Sequence, residues 1–262
     1  MNIYIELTKQ FNKEKLRTVI CSGQAVVLHR LAIMSKDGDW ILREDTESMN
    51  HVLKVLSERK ARYRFGAPLD VRWMVGGWSS HFQFSYKRLR IRTDFFTRPP
   101  RISTGRLDNL WKEQEGRDIP FVGVKDLAEL KKTNREKDYV VIGELARLMT
   151  NIQDQFLYSR SAGDLISISE TYPDVFSDLI KERPDVLNMI TRGRKKLEAA
   201  LDAERRKLIH ANEKRLKVYM EAASAWSSIW SDVAKEIADC PLMEAHAIIV
   251  KRAEKVLPFT LS

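Results

Sequence analysis

Two acidic residues, Asp37 and Asp39, stand two positions apart in the segment SKDGDWILRED at residues 35–45. In a β-strand, residues i and i+2 point to the same side of the sheet. A strand here would therefore bring together two carboxylates that repel each other unless a cation lies between them. By itself, however, the segment KDGD is more often a tight turn. Two interpretations stay open at this point, a metal site on a strand and a hairpin turn.

A third acid, Asp94, lies in the apolar and β-branched segment IRTDFFT, and a small pair, Ser22-Gly23, leads from an apolar segment into a predicted helix. Three carboxylates at adjacent strand ends can hold Mg²⁺, which prefers oxygen ligands, and paired metals clamp the attacking and leaving oxygens of phosphoryl transfer. Small residues let backbone N–H groups approach a phosphate at a helix N-terminus. Asp70 is an alternative third acid, and Asp94 could instead be a surface residue paired with Arg92.

Composition restricts the class of protein. The chain has 262 residues, is 44% hydrophobic and carries a net charge of +9. Residues 1–150 hold 28 Lys/Arg against 19 Asp/Glu, whereas residues 151–262 hold 17 of each. This excess fits either a polyanionic partner or charge that serves solubility. With two distant cysteines, a polar N-terminus and no long apolar run, we expect a cytoplasmic protein without disulfides or membrane spans.

The order of predicted elements indicates an α+β protein. Residues 18–24 and the segment DWILRED are predicted strands, and the segments AVVLHRLAIM and ESMNHVLKVLSERKA are predicted helices. The segments VRWMVGGW and HFQFSYKRLRIRTDFFT are predicted to be two antiparallel strands, the second one long. A helix over VKDLAELKK follows. The chain has neither G-x-G-x-x-G nor G-x-x-x-x-G-K-[ST], so the common dinucleotide and P-loop sites are excluded.

Strand signals end near residue 140, and we predict two domains, residues 1–145 and an all-α helical domain over residues 146–262. A heptad-like stripe in the second domain is predicted to pack against another helix. Its members are Tyr219, Ala223, Trp226, Trp230, Val233 and Ile237.

The segment VICSGQAVVLHRLAIMSKDGDWIL resembles the opening of the polymerase-β-type nucleotidyltransferase superfamily, which has a Gly-Gly or Gly-Ser pair, a spacer, Asp-x-Asp and a distant third acid. The sequence of this segment is most similar to that of the bacterial branch of abortive-infection and toxin–antitoxin nucleotidyltransferases. DFFTRPPRIS resembles its third-acid strand, and VKDLAELKKTNREKD resembles its next helix. The resemblance covers roughly residues 15–145. In this chain the pair is Ser-Gly, and Gly38 stands where an apolar residue is common.

The resemblance implies a nucleotidyltransferase-fold mixed sheet flanked by helices, with Mg²⁺ or Mn²⁺ and an NTP substrate. Asp37, Asp39 and Asp94 would be metal ligands, and Asp94 would also serve as base toward the attacking hydroxyl. The remaining implied residues would bind the nucleotide. These are Ser22 and Gly23 at the triphosphate and Lys131 and Arg135 at phosphates.

Basic residues surround Asp94 and alternate with aromatic residues, which suits a phosphate-bearing partner such as RNA. We therefore predict a nucleic-acid surface formed by Arg88, Arg90, Arg92, Arg98 and Arg101. The alternative is a hairpin whose outer face is basic and whose inner face belongs to the core. The first three arginines alternate with Leu89 and Ile91, so a strand would place the arginines and Asp94 on one face.

Two functions are consistent with these patterns. The first is a metal-dependent enzyme that transfers a nucleotidyl group to a hydroxyl of RNA, above all tRNA, or of protein, in a toxin–antitoxin or phage-defence system. The second is an inactive protein of the same fold that binds nucleic acid or protein. An antitoxin, or self-association through the helical domain, is the expected protein partner.

Overall fold

The computed structural model describes residues 2–261 and has an α+β fold, as predicted. The strands are β1 (Thr18–Cys21), β2 (Asp37–Leu42), β3 (Arg62–Tyr63), β4 (Ser79–Tyr86) and β5 (Leu89–Phe96). The helices before, between and directly after these strands are α1 (Ile3–Phe11), α2 (Ser22–Leu28), α3 (Thr46–Glu58), α4 (Val71–Met74) and α5 (Thr104–Gln114). The later helices are α6 (Val124–Leu130), α7 (Glu136–Arg147), α8 (Ile152–Tyr158), α9 (Ala162–Thr171), α10 (Pro173–Leu179), α11 (Pro184–Leu187), α12 (Arg194–Ala222), α13 (Ser224–Glu236) and α14 (Leu242–Ala253). No helix within residues 2–261 is both long and apolar enough to cross a membrane.

The five strands form one mixed sheet in the order β1-β2-β5-β4-β3. Strands β2 and β5 pair in parallel, and the other neighbours pair antiparallel. The two central strands therefore come from segments far apart in sequence and run in the same direction. This pairing decides which side chains of the two strands face each other.

One face of the sheet is covered by aromatic packing. Trp40 and Phe95 stack with ring centroids 5.4 Å apart, and Phe11 of α1 meets both rings edge-on. The Trp40 indole also donates a hydrogen bond to Thr8 Oγ1 at 2.9 Å. Helix α1 is absent from the sequence-based prediction, although its apolar residues follow helical spacing and Asn2 caps its first turn. Its role is to close this core.

Two predicted strands differ in the structure. VRWM forms helix α4, which is capped by Asp70, because Asp70 Oδ1 accepts a hydrogen bond from the Arg72 backbone N–H. The segment predicted as one long strand folds back as the hairpin β4–β5. Its two-residue turn, Lys87-Arg88, has positive φ at both positions (48° and 66°), as the turns that suit hairpins require. Neither residue is Gly, Asn or Asp, so the usual sequence signal for this turn is missing.

The described residues divide into two compact units, each with its own packing. The first comprises the chain up to Val122 and from Lys217 onward, and the second comprises Gly123–Leu216. The predicted boundary at residue 145 therefore falls inside the second unit, and the C-terminal segment joins the first. The division into domains over residues 1–145 and 146–262 stays a prediction.

The C-terminal segment of the first unit packs against its sheet and loops. The indole N–H groups of Trp73 and Trp78 donate to the carbonyls of Leu257 and Pro258, at 3.2 and 2.9 Å. A Cβ at Gly76 would lie 1.8 Å from the carbonyl oxygen of Phe259, so only glycine permits this backbone crossing.

The predicted heptad stripe packs against loops beside the sheet and not only against another helix. Its helix is interrupted at Ala223, between α12 and α13. Trp226 is buried and donates its indole N–H to the Gly66 carbonyl at 2.9 Å. The Tyr219 ring lies 4.9 Å from that of Trp78. The stripe is core, as expected, but loops beside the sheet form much of its partner surface.

The second unit has a separate helical core. Its buried members come from α8 to α12 and are Phe156, Ala162, Leu165, Leu179, Val186, Leu187, Leu197 and Leu201.

Candidate active site

The three predicted acids share one face of the sheet, called the acid face below. Asp37 and Asp39 both belong to β2, so the turn interpretation of KDGD is wrong. Asp39 is the register partner of Asp94 on the parallel strand β5. Residues in register on adjacent strands point to the same side. The structure thus aligns all three carboxylates on one face, with Asp39 directly opposite Asp94.

The start of β2 is held in place by helix α2. The Gln24 side-chain amide donates to the carbonyls of Ser35 and Asp37, at 3.1 and 3.2 Å. A Cβ at Gly23 would lie 2.3 Å from Ser35 Oγ, so glycine allows the helix to approach this segment. The hydroxyl of Tyr4 donates to the Lys36 carbonyl at 2.5 Å. These contacts fix the backbone that carries Asp37.

The opposite face explains the glycine between the two acids. A Cβ at Gly38 would lie 2.4 Å from the Trp40 ring and 2.5 Å from the Tyr4 ring. The packed rings therefore exclude a side chain at this position. Packing of the two rings therefore accounts for the glycine at position 38.

Asp94 is a half-buried carboxylate with two cationic or polar donors, His81 and Arg64. His81 Nδ1 lies 2.8 Å and Arg64 Nη1 3.2 Å from the same oxygen, Oδ1. His81 is the register partner of Asp94 on β4, and the Arg64 backbone N–H donates to the His81 carbonyl at 2.8 Å. The pairing of Asp94 with Arg92 considered from the sequence is wrong, since Arg92 Nη1 lies 3.7 Å from Asp37 Oδ1.

The three carboxylates act together on the Tyr4 phenol. Burial of the phenol is the largest cause that raises the pKa of Tyr4, and the charges of Asp37, Asp39 and Asp94 raise it further, to about 12. The Arg92 charge offsets only part of this effect. At the Tyr4 phenol, the charges of the three carboxylates together therefore outweigh the charge of Arg92.

The donor set of the acid face fits Mg²⁺. Asp37 Oδ1 is buried and has no hydrogen-bond partner, and the one cation beside it, Arg92 Nη1 at 3.7 Å, lies beyond hydrogen-bond distance. Within residues 2–261, no group of three or more His, Cys, Asp or Glu side chains is arranged to hold a metal ion. Mg²⁺ does not need such a cage, because proteins usually hold it by one or two carboxylates together with substrate phosphates.

The predicted nucleotide-binding residues fall into two groups. Ser22 and Gly23 begin α2, beside the acid strand, and Ser22 adopts a positive φ of 50° that non-glycine residues rarely take. Lys131 and Arg135 belong to the second unit, where both contact Asp138. Their contact with a nucleotide stays a prediction.

Asp138 has both oxygens occupied. Lys131 Nζ lies 3.2 Å from Oδ1, and Thr133 Oγ1 and Arg135 Nε lie 2.6 and 3.0 Å from Oδ2. Burial alone would raise the pKa of the Asp138 carboxyl. The Thr133 hydrogen bond and the charges of Lys131 and Arg135 outweigh burial, and the pKa is lowered. Lys131 is itself buried, so this is a structural ion cluster.

The competing third acid, Asp70, lies outside the strands, at the start of α4. It caps α4 and forms an ion pair with Arg72, with Oδ2 and Nη2 2.9 Å apart. Its role is to start a helix.

The predicted arginine surface is only partly formed by β5. Arg90 and Arg92 lie on the strand with Asp94, and the alternating burial of Ile91, Thr93 and Phe95 confirms the two-faced pattern. Arg88 lies in the turn, so the prediction that it shares the strand face of Arg90 and Arg92 is wrong. Leu89 is 64% exposed, so the prediction that it lies on the apolar face with Ile91 is also wrong. Beyond the strand, Arg98 pairs with Glu44 at 2.6 Å, and Arg101 is exposed.

Sequence reasoning missed His81, Arg64 and Tyr4. A signal for His81 was present, because Ser79, His81, Gln83 and Ser85 form the polar half of an alternating strand. Which of these residues meets Asp94 depends on the hairpin register, and the register depends on a turn that the sequence did not reveal.

No protein-family model matches the chain, and no curated protein matches it. The chain is similar to a crystal structure of a provisionally assigned nucleotidyltransferase from H. pylori, with 12% identity and a TM-score of 0.40, over 81% of this chain and 96% of that one. Similarity at this level carries no argument about fold or activity.

Proposed function

We propose that this protein is a Mg²⁺- or Mn²⁺-dependent nucleotidyltransferase that moves a nucleotidyl group from an NTP to a hydroxyl of RNA, in the first place tRNA, or of a protein. The observation that carries the proposal is the register of Asp39 with Asp94 on parallel strands, with Asp37 on the same face. A toxin of a toxin–antitoxin or phage-defence system is the expected biological role, with an antitoxin as partner.

Asp37, Asp39 and Asp94 are the proposed metal ligands, one or two of them binding a metal together with substrate phosphates, and the bound metal would neutralise charge on the triphosphate. Both donors to Asp94 reach Oδ1, and this leaves Oδ2 to accept the proton of the attacking hydroxyl. Because this pattern of donors orients the carboxylate before substrate binds, little reorganisation is needed at the moment of transfer.

The cations near the acids would oppose phosphate repulsion. Arg90 and Arg92 share the strand and face of Asp94, so they can draw a polyanion toward three negative charges. Ser22 and Gly23 at the start of α2 are the proposed triphosphate contacts. Of the two other residues proposed to bind phosphate, Arg135 has a side chain that is 53% exposed, whereas Lys131 is buried.

One observation favours the second function, an inactive protein of this fold that binds nucleic acid or protein. Asp94 Oδ1 is already engaged by His81 and Arg64, and donors of this kind compete with a metal for the same oxygen. In that case the arginine side chains would bind RNA without turnover.

The test is to incubate the full chain with each α-labelled NTP, Mg²⁺ or Mn²⁺, and either total RNA or a protein extract. Asp39→Asn and Asp70→Asn form a matched pair, because they make the same chemical change inside and outside the acid face. We expect label transfer and Mn²⁺ binding, measured by calorimetry, to be lost in Asp39→Asn and kept in Asp70→Asn. RNA binding without transfer or Mn²⁺ binding in the unaltered chain would establish the binding function instead.

A further inference from the structure

A hydrogen-bonded chain of three side chains crosses the hairpin beside the acids. Ser79 Oγ lies 3.0 Å from His81 Nε2, and His81 Nδ1 lies 2.8 Å from Asp94 Oδ1. Ser79 and His81 are two residues apart on β4, so both side chains lie on the face of Asp94. A serine, a histidine and an aspartate joined in this order form the arrangement that activates a serine hydroxyl, which is recognised by geometry and not by sequence position.

The direction of each hydrogen bond among Ser79, His81 and Asp94 follows from which atoms can donate a hydrogen. The Asp94 carboxylate can only accept, so His81 Nδ1 carries the hydrogen that it donates to Oδ1. In the neutral imidazole, Nε2 is then an acceptor, and the Ser79 hydroxyl donates to it. Nε2 is thus in position to take the Ser79 proton when the oxygen attacks an electrophile.

The histidine ring is held in this orientation by its surroundings. A Cβ at Gly66 would lie 2.6 Å from His81 Cδ2, so the ring packs directly against the glycine backbone. The Gly66 carbonyl in turn accepts the indole N–H of Trp226, and the Ala67 N–H donates to the Ser79 carbonyl at 3.0 Å. Ser79 itself is partly exposed, so a reagent can reach its hydroxyl.

We propose that Ser79 is an activated nucleophile and that its substrate class is an electrophilic phosphorus centre, namely the α-phosphate of the NTP. The nucleophile stands on the geometry alone, whereas the identity of the electrophile rests on the proposed function. In the step, a Ser79 Oγ–P bond forms and the bond between the α-phosphorus and the bridging oxygen breaks. Pyrophosphate leaves with the electron pair of that bond, and the hydroxyl proton passes to His81 Nε2. The product is a nucleotidylated Ser79.

The nucleophile is tested first without metal or nucleotide. A fluorophosphonate probe reacts with an activated serine by forming an O–P bond and releasing fluoride, and mass spectrometry of the peptides locates the adduct. We expect one adduct on Ser79, none in Ser79→Ala, and a rate at least about 100-fold lower in His81→Gln, since a positioned base contributes this much. Ser85→Ala is the matched control, because Ser85 lies on the same strand and face but has no histidine neighbour of this kind, and its labelling should equal that of the unaltered chain.

A folded His81→Gln variant, verified by circular dichroism, that is labelled as fast as the unaltered chain overturns the proposal, as does labelling that persists in Ser79→Ala. The second measurement uses α-labelled NTP with Mg²⁺ and no acceptor. Label on Ser79 supports the full proposal. Transfer to RNA in the absence of any Ser79 adduct, with phosphonate or NTP, would leave the proposed function standing and remove Ser79 from it.

Discussion

Asp94 and Asp138, one in each compact unit, are carboxylates between two basic side chains, and they differ in what remains free. The Asp94 side chain is 20% exposed, and both of its donors reach one oxygen. The Asp138 side chain is 4% exposed, and donors occupy both oxygens. An aspartate beside basic residues thus has both oxygens bonded in one unit, with Lys131, Thr133 and Arg135, and one oxygen bonded in the other, with Arg64 and His81. Only the Asp94 cluster therefore leaves an oxygen, Oδ2, that could accept a proton or bind a metal ion.

The largest expected difference between the two clusters is in stability. Asp138→Asn should lower the free energy of unfolding by about 3–5 kcal/mol, because it leaves the buried Lys131 charge without its partner. Asp94→Asn should change it by less than about 1 kcal/mol, since its partners Arg64 and His81 keep partial contact with water, with 31% and 24% of their side chains exposed. Urea unfolding of both variants measures the contrast. Equal losses in the two variants would show that Asp94 is also structural.

The next expected effect is on activity at the acid face. Asp39→Asn should lower nucleotide transfer at least about 100-fold, while its melting temperature stays equal or rises, because one of several crowded like charges is removed. Transfer assays and calorimetric melting of the same preparation measure both. A variant that unfolds instead would assign Asp39 a structural role.

The pH dependence of stability sharpens the comparison further. Despite burial, the hydrogen bond from Thr133 and the charges of Lys131 and Arg135 lower the pKa of Asp138, so the folded state binds this proton less readily than the unfolded chain. Its stabilising effect is therefore complete above the unfolded pKa of about 4 and is lost as the pH falls through the lowered folded value.

Consequently, the difference in unfolding free energy between the unaltered chain and Asp138→Asn should narrow as the pH falls from 6 toward 3. Asp164→Asn serves as the surface comparator, because hydrogen bonding to Arg147 lowers the pKa of Asp164 in the same direction, and its side chain is 33% exposed. The difference in unfolding free energy between the unaltered chain and Asp164→Asn should narrow in the same way, but it should be smaller at pH 6. A difference in unfolding free energy for Asp138→Asn that does not change with pH would contradict the lowered pKa of Asp138.

The smallest expected effect concerns RNA affinity. Charge reversal of Arg90 should flatten the log–log dependence of RNA affinity on salt by about 0.7–0.9, the contribution of one phosphate contact. Lys207→Glu, on the long helix α12, is the comparison because its side chain is 79% exposed. Filter binding across a salt series measures both. If Lys207→Glu flattens the slope and Arg90→Glu does not, the RNA surface belongs to α12.

Adding Arg88→Glu to Arg90→Glu extends the same series. Arg88 lies in the hairpin turn and is exposed, so its reversal should flatten the slope by a similar further amount without loss of secondary structure in circular dichroism. RNA binding that is independent of salt would identify the basic excess as charge that serves solubility alone.

Much of the acid face could be predicted because strand alternation is a local property. Asp37 and Asp39 share a face in any strand, and so do Arg90, Arg92 and Asp94. The failures are equally instructive. The hairpin turn at Lys87-Arg88 has no glycine or asparagine to reveal its positive φ values, so two strands were interpreted as one. The VRWM segment has strand-like composition, but a cap at Asp70 starts a helix there.

The sequence by itself determined the α+β class, the acids available for a metal and the side of a strand on which each one lies, because these follow from periodicity and residue type. Only the tertiary structure decided that β2 pairs in parallel with β5, and this register sets Asp39 against Asp94. It also decided that His81 and Arg64 meet Asp94, that Ser79 meets His81, and that Lys131 is buried against Asp138. The pairing of β2 with β5 and the contacts of Asp94 join segments that are not adjacent in the chain, and the orientation of His81 toward Ser79 and the burial of Lys131 depend on the packing around them, so no local pattern predicts these contacts.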